Sequence, residues 1–102
     1  VDSSSYAADY DGTAQVLTVT GEVDEGAAVS LRDDIETHSA RFTQPLVINL
    51  TGVGYLPSAA VGVLATVRQR SSANGSSIEL VASEGSIAQR VLTVCALPHR
   101  TS

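Results

Sequence analysis

An α/β fold, a small mixed and largely parallel sheet with helices in the order β-β-α-β-α-β-α, is what this sequence predicts, and three observations carry the prediction. Short runs rich in β-branched residues, A-Q-V-L-T-V-T, L-V-I-N-L and I-E-L-V, alternate with longer stretches whose apolar residues recur every three or four positions. Asp11-Gly12 is a turn signal ahead of the first long strand, so a shorter strand before it pairs as a hairpin. L-V-I-N-L is almost continuously apolar, as expected of a central strand covered on both faces. Strands that alternate with helices are joined by right-handed crossovers, which makes the later part of the sheet parallel. The 102 residues are one compact domain's length, and 1–102 is read as a single domain.

The elements follow in order. The hairpin strands end near Thr20, ahead of G-E-V-D. From Asp24 the period changes: Ala28, Leu31, Ile35 and Phe42 form one stripe, while Arg32, Asp33, Asp34 and Glu36 fill the other face. Asp24 is a natural N-cap, because its carboxylate accepts from the unpaired N–H groups of the first turn. Pro45 closes that region, and L-V-I-N-L follows as the next strand, with T-G-V-G-Y-L-P read as a turn in which Gly52 and Gly54 serve the bend. Ala59, Ala60, Val63, Leu64 and Val67 make the stripe of a second helix, stopped by Asn74-Gly75. After I-E-L-V, a third helix capped by Ser83 turns Ile87, Ala88, Val91 and Leu92 inward.

Composition removes several function classes. Eleven acidic residues face six arginines and no lysine, for a net charge of −5, which argues against a protein that grips nucleic-acid phosphates. No apolar run is long enough to cross a membrane, and the first residues lack the charged and apolar regions of a signal peptide, so a soluble, cytoplasmic protein is expected. The single cysteine, Cys95, cannot form an internal disulfide and is expected to be a small buried hydrophobe within V-L-T-V-C-A-L. His38 on a helix and His99 in the tail, with no Cys pair, do not make a metal site; no cofactor is expected and both histidines are read as solvated.

Ser58 is the polar residue whose setting asks for an explanation. L-P-S-A-A is not the G-x-S-x-G elbow of a serine hydrolase, and a phosphate-cradling G-x-x-x-x-G-K loop is absent, so no enzyme is expected. Placed directly after Pro57, Ser58 sits at the N-cap or within the first turn of the second helix. Two readings follow. Its hydroxyl caps the helix, worth about 1 kcal/mol, or the same N–H groups and dipole accommodate an added phosphate of about −1.5 to −2 charges.

L-T-V-T-G-E-V-D, A-A-V-S-L-R-D-D-I, L-V-I-N-L-T-G-V-G-Y-L-P-S-A-A-V-G-V-L and I-A-Q-R-V-L-T-V-C-A-L, in that order across about residues 14 to 97, resemble the STAS domain family. The resemblance is strongest to the stand-alone bacterial anti-sigma factor antagonists. It implies a binding protein that captures an anti-sigma factor, often a GHKL-type serine kinase, and so frees a sigma factor. It also implies that Ser58 is the phosphoacceptor and that a PPM-type phosphatase resets the switch. The partner surface it implies comprises Asp24, Tyr55, Leu56, Pro57, Ser58, Ala59, Val61 and Gly62. Asp24 matches the family's G-E-L-D aspartate, and Gly62 matches the second glycine after the phosphoacceptor; close approach of the helix to the sheet or to a partner explains a glycine there equally well. Pro57, Ala59, Ala60 and Asn49 replace residues that the family usually has as Asp, Ser/Thr, Gly and Asp. The tail P-H-R-T-S is read as lacking the final strand of some members. The alternative within the same family is a structural subunit or ligand-sensing module of a transport or stress-signalling complex.

Overall fold

A computed structural model describes residues 6–101. β1 (Ala7–Asp11) and β2 (Val16–Glu22) form the expected antiparallel hairpin, with Ala7 opposite Thr20 and Asp11 opposite Val16. Asp11 Oδ1 accepts from the N–H groups of Thr13 and Ala14 at 3.0 and 3.3 Å, which closes the turn locally. The chain continues as α1 (Glu25–His38), β3 (Leu46–Tyr55), α2 (Ser58–Ala73), β4 (Ile78–Ala82), α3 (Ile87–Val94) and β5 (Arg100–Thr101). The strands lie in the order β1-β2-β3-β4-β5, and every pair after the hairpin is parallel. The tail, read as lacking a strand, contributes one of two residues, which pairs with Val81 and Ala82 of β4.

One apolar cluster holds these elements together. Leu17 and Val19 from β2, Leu46, Ile48 and Leu50 from β3, and Ile78, Leu80 and Ala82 from β4 meet Leu31 and Ile35 of α1, Leu64 and Val67 of α2, and Ala88 and Leu92 of α3. Burying a side chain of this size contributes about 1.5–3 kcal/mol. β3 is not covered equally on both faces, as its composition suggested: Leu46, Ile48 and Leu50 are buried, while Val47, Asn49 and Thr51 are half-buried. It is also longer than expected. T-G-V-G-Y is strand rather than turn, because it continues the ladder with the end of β2.

That ladder carries two irregularities. Thr18 pairs with Asn49 but Thr20 with Gly52, so β3 has one extra residue there, the signature of a β-bulge, and Gly21 pairs with Val53 but Glu22 with Tyr55, which adds a second. Gly52 is needed at the first of them for space: a Cβ on it would lie 2.8 Å from Thr20 Cγ2. The next buried residue after Leu50 is Val53, three positions on rather than two.

Helix ends account for the remaining differences. Phe42 is buried but does not belong to α1, which stops at His38; Ala40, Arg41 and Phe42 all adopt left-handed conformations, φ 50°, 58° and 67°. Ser39 Oγ accepts the Phe42 N–H at 3.0 Å and Asn74 Nδ2 donates to the Phe42 carbonyl at 3.2 Å, which holds the reversal. Asn74 is the C-cap of α2 and Gly75 follows at φ 76°, as the sequence suggested. α3 is capped by Ser86, not Ser83: Ser86 Oγ accepts from Gln89 N–H at 3.0 Å, and Gln89 Oε1 reaches back to Gly85 N–H at 2.6 Å. Of its predicted inward stripe Ala88 and Leu92 are buried and Val91 is half-buried against the core, but Ile87 is exposed. Cys95, expected inside, is exposed because it is the C-cap of this short helix.

The histidines are less solvated than expected. His38 is half-buried and stacks on Tyr10 with ring centroids 4.1 Å apart. His99 is half-buried too, and its Nδ1 lies 2.9 Å from the Leu97 carbonyl oxygen, which makes that nitrogen the donor. Tyr6 ties the region before β1 to α1 by donating to Asp34 Oδ2 at 2.6 Å; burial first, then this bond and the Asp34 charge, raise its phenol above the ordinary tyrosine range.

Candidate docking site at two helix N-termini

β2 and β3 are adjacent and parallel, and Glu22 pairs with Tyr55 at their ends. The Val23 N–H donates to the Tyr55 carbonyl at 3.1 Å, which fixes the two strand-to-helix junctions against each other. Beyond that bond each strand is followed by a buried hydrophobe, Val23 in one and Leu56 in the other. Each then becomes helical within one further residue. The N-termini of α1 and α2 therefore open side by side at the C-terminal end of the parallel sheet, the usual position for binding sites in α/β folds.

These two helix starts differ in capping. Asp24 is the N-cap of α1, and its Oδ1 accepts the Ala27 N–H at 2.8 Å. At α2 the N-cap is Pro57, with extended backbone (φ −75°, ψ 172°) and no side chain able to accept. Ser58 is the first helical residue, exposed, and its hydroxyl makes no hydrogen bond among the described residues. The capping reading of Ser58 is therefore overturned: Pro57 occupies the cap position, and the Ser58 hydroxyl is free. The first-turn N–H groups of α2 likewise receive no capping side chain, and the first helical bond runs from Val61 N–H to the Pro57 carbonyl at 3.1 Å.

Between the junctions lies a depression of about 220 Å³ lined by Asp24, Glu25, Tyr55, Pro57, Ser58 and Ala59. Five residues singled out from the sequence, Asp24, Tyr55, Pro57, Ser58 and Ala59, thus converge. Leu56 does not join them: it is 3% exposed and anchors the junction from below, so it is corrected from a surface contact to a core residue. Val61 is half-buried and packs on the core. Gly62 lies one turn beyond Ser58 and is exposed; a Cβ there would meet nothing within 4 Å, so close packing on the sheet is not the reason for glycine. Glu25 was missed, although an acidic residue directly after an N-cap is a first-turn signal. Neither His38 nor His99 lines the depression, so no imidazole base stands beside Ser58.

The family model of the STAS domain matches residues 7–99. The chain belongs to the STAS domain family. Among solved structures, this STAS domain is similar to an anti-sigma factor antagonist from Mycobacterium paratuberculosis, with a TM-score of 0.79 and 23% identity over 94% of this chain and 82% of that one. It is also similar to the anti-sigma factor antagonist SpoIIAA in its unphosphorylated form, with a TM-score of 0.72 and 17% identity over 96% of this chain and 88% of that one. At these identities the likeness establishes the STAS fold. Among the described residues of this STAS domain, no helix is long and apolar enough to cross a membrane.

Proposed function

We propose that this STAS domain is an anti-sigma factor antagonist, which docks on an anti-sigma factor through the surface around Ser58 and so releases a sigma factor for transcription. The observation that supports it most is the state of Ser58: exposed at the first position of α2, beside a depression, with a hydroxyl that the fold does not use. The solved neighbours named as anti-sigma factor antagonists support the same role. The docking surface is Asp24, Tyr55, Pro57, Ser58, Ala59 and Gly62, with Val61 at its inner margin. The exchange takes place in the cytoplasm, without contact to nucleic acid.

The finer reading makes the partner a GHKL-type serine kinase and Ser58 its substrate, with a PPM-type phosphatase as the reset. A phosphate on Ser58 places about −1.5 to −2 charges at the open, positive end of α2, where the fold tolerates it. Asp24 and Glu25 line the same depression, so the added charge makes that surface strongly anionic and displaces a partner fitted to the neutral serine. The Asp24 and Glu25 carboxylates are the ones that line the site, since Pro57 supplies none.

Incubation with the cognate anti-sigma kinase and ATP tests the switch: the intact mass rises by ~80 Da in the wild type and is unchanged in Ser58→Ala. A gain that persists in Ser58→Ala removes Ser58 as the acceptor. Failure of the purified anti-sigma factor to bind the unmodified chain at micromolar concentration overturns the antagonist role itself.

A further inference from the structure

A second depression, of about 190 Å³, lies against the β4 edge and shares no lining residue with the one at Ser58; Arg68 of α2, Ile78 to Leu80 of β4, and Pro98, His99 and Arg100 surround it. It exists because β5 pairs with β4 only at Val81 and Ala82. Pro98 and His99 therefore stand beside Ile78 to Leu80 without joining the ladder, and the gap remains.

Its charge is opposite to that of the whole chain. In a protein of net charge −5, two arginines and a histidine meet one carboxylate here. That carboxylate is already satisfied, since Arg100 lies 3.0 Å from Glu79 Oε1. Arg68 is half-buried and, among the described residues, has neither a carboxylate within 4.0 Å nor a hydrogen bond. A guanidinium partly withdrawn from water without a counter-charge favours an anion that supplies both the charge and the acceptors. His99 adds a polarity of its own: with Nδ1 donating to the Leu97 carbonyl, neutral imidazole leaves Nε2 as an acceptor.

We propose that this pocket binds a small oxyanion that still carries a proton, phosphate being the type. Its oxygens accept from Arg68, the guanidinium left without a counter-charge once Arg100 is paired with Glu79, and its P–O–H donates to His99 Nε2. Sulfate presents acceptors only and lacks the last bond. The volume is below the roughly 300 Å³ at which sites for larger organic ligands begin, so the site takes the ion and not a nucleotide.

Titration of the ¹⁵N-labelled chain with inorganic phosphate at pH 7.5 and constant ionic strength tests this. Saturable amide shifts are expected at residues 68, 78–80, 99 and 100, with sulfate binding more weakly and chloride giving no saturable response. Arg68→Gln, with its far-ultraviolet spectrum unchanged, is expected to weaken phosphate by about tenfold or more, the scale of losing hydrogen bonds to a charged group. Arg68→Lys retains the charge and the apolar stem and serves if the glutamine variant is unstable; loss of the planar fork still weakens binding. The absence of saturable shifts at these residues overturns the proposal. So do equal phosphate binding by the variant, sulfate binding as tightly as phosphate, and a nucleoside monophosphate that binds there more tightly than phosphate.

Discussion

In Val23-Asp24-Glu25 and Leu56-Pro57-Ser58 the chain makes the same transition twice: strand end, buried hydrophobe, cap position, first helical residue. The two triplets lie side by side, linked by the bond from Val23 N–H to the Tyr55 carbonyl. At α1 the transition is completed from within, because Asp24 accepts the Ala27 N–H. At α2 nothing in the side chains completes it. Proline fixes φ for the start of the helix and supplies no acceptor, so the residue after it keeps a free hydroxyl and the first-turn N–H groups keep their positive potential. One helix start is closed by its own side chain, and its neighbour is left open.

Four substitutions sharpen or break that comparison. Leu56→Ala, which removes the anchor beneath the open start, is expected to cost about 3 kcal/mol in urea unfolding, the scale of core leucine truncation. A loss under about 1 kcal/mol, the range of surface changes, means that the two junctions are not anchored alike. Asp24→Ala removes the side-chain cap of α1 and is expected to lower stability by about 1 kcal/mol, again read by urea unfolding. Gly62→Ala is expected to raise the unfolding free energy by about 0.5–1 kcal/mol, since helix propensity improves and the new methyl meets no atom of this chain. The same variant is expected to bind the anti-sigma factor more weakly in calorimetric titration, because on the proposed docking surface the methyl enters the space assigned to the partner. Ser58→Ala is expected to change stability by less than about 0.5 kcal/mol; a loss near that of Asp24→Ala shows that the hydroxyl caps after all.

Much of this was legible in the residues. Asp24 reads as an N-cap because its chemistry is local, and the α2 stripe survives folding at Ala60, Leu64 and Val67 although Ala59 is exposed, whereas β3, read as covered on both faces, buries one stripe instead. The same local logic located Ser58 within one position, but Pro57 had to take the cap before the hydroxyl became free. Ser86-Ile87-Ala88-Gln89 carries a reciprocal capping signal that outranks Ser83, and it was there to be read. What sequence could not show was the inward turn of Leu56, since that depends on pairing between β2 and β3. Nor does spacing reveal that Ala40 to Phe42 reverse the chain in left-handed conformations without a glycine, at about 1–2 kcal/mol per residue. A local bond from the Phe42 N–H to Ser39 Oγ and a tertiary one from Asn74 hold that turn, and the second joins residues far apart in the chain.

The two extra residues in β3 reach further than their own ladder. Buried positions run Leu46, Ile48, Leu50, then Val53 and Leu56, so each bulge shifts the phase of everything downstream by one, and together they leave Leu56 facing in and Ser58 facing out. A one-residue deletion between Asn49 and Gly52 would leave every letter of G-Y-L-P-S intact and still bring the wrong side chains to the surface. For this segment, length is inherited information as much as composition is, and a loop graft that copies the motif without the bulges transfers the letters but not the site.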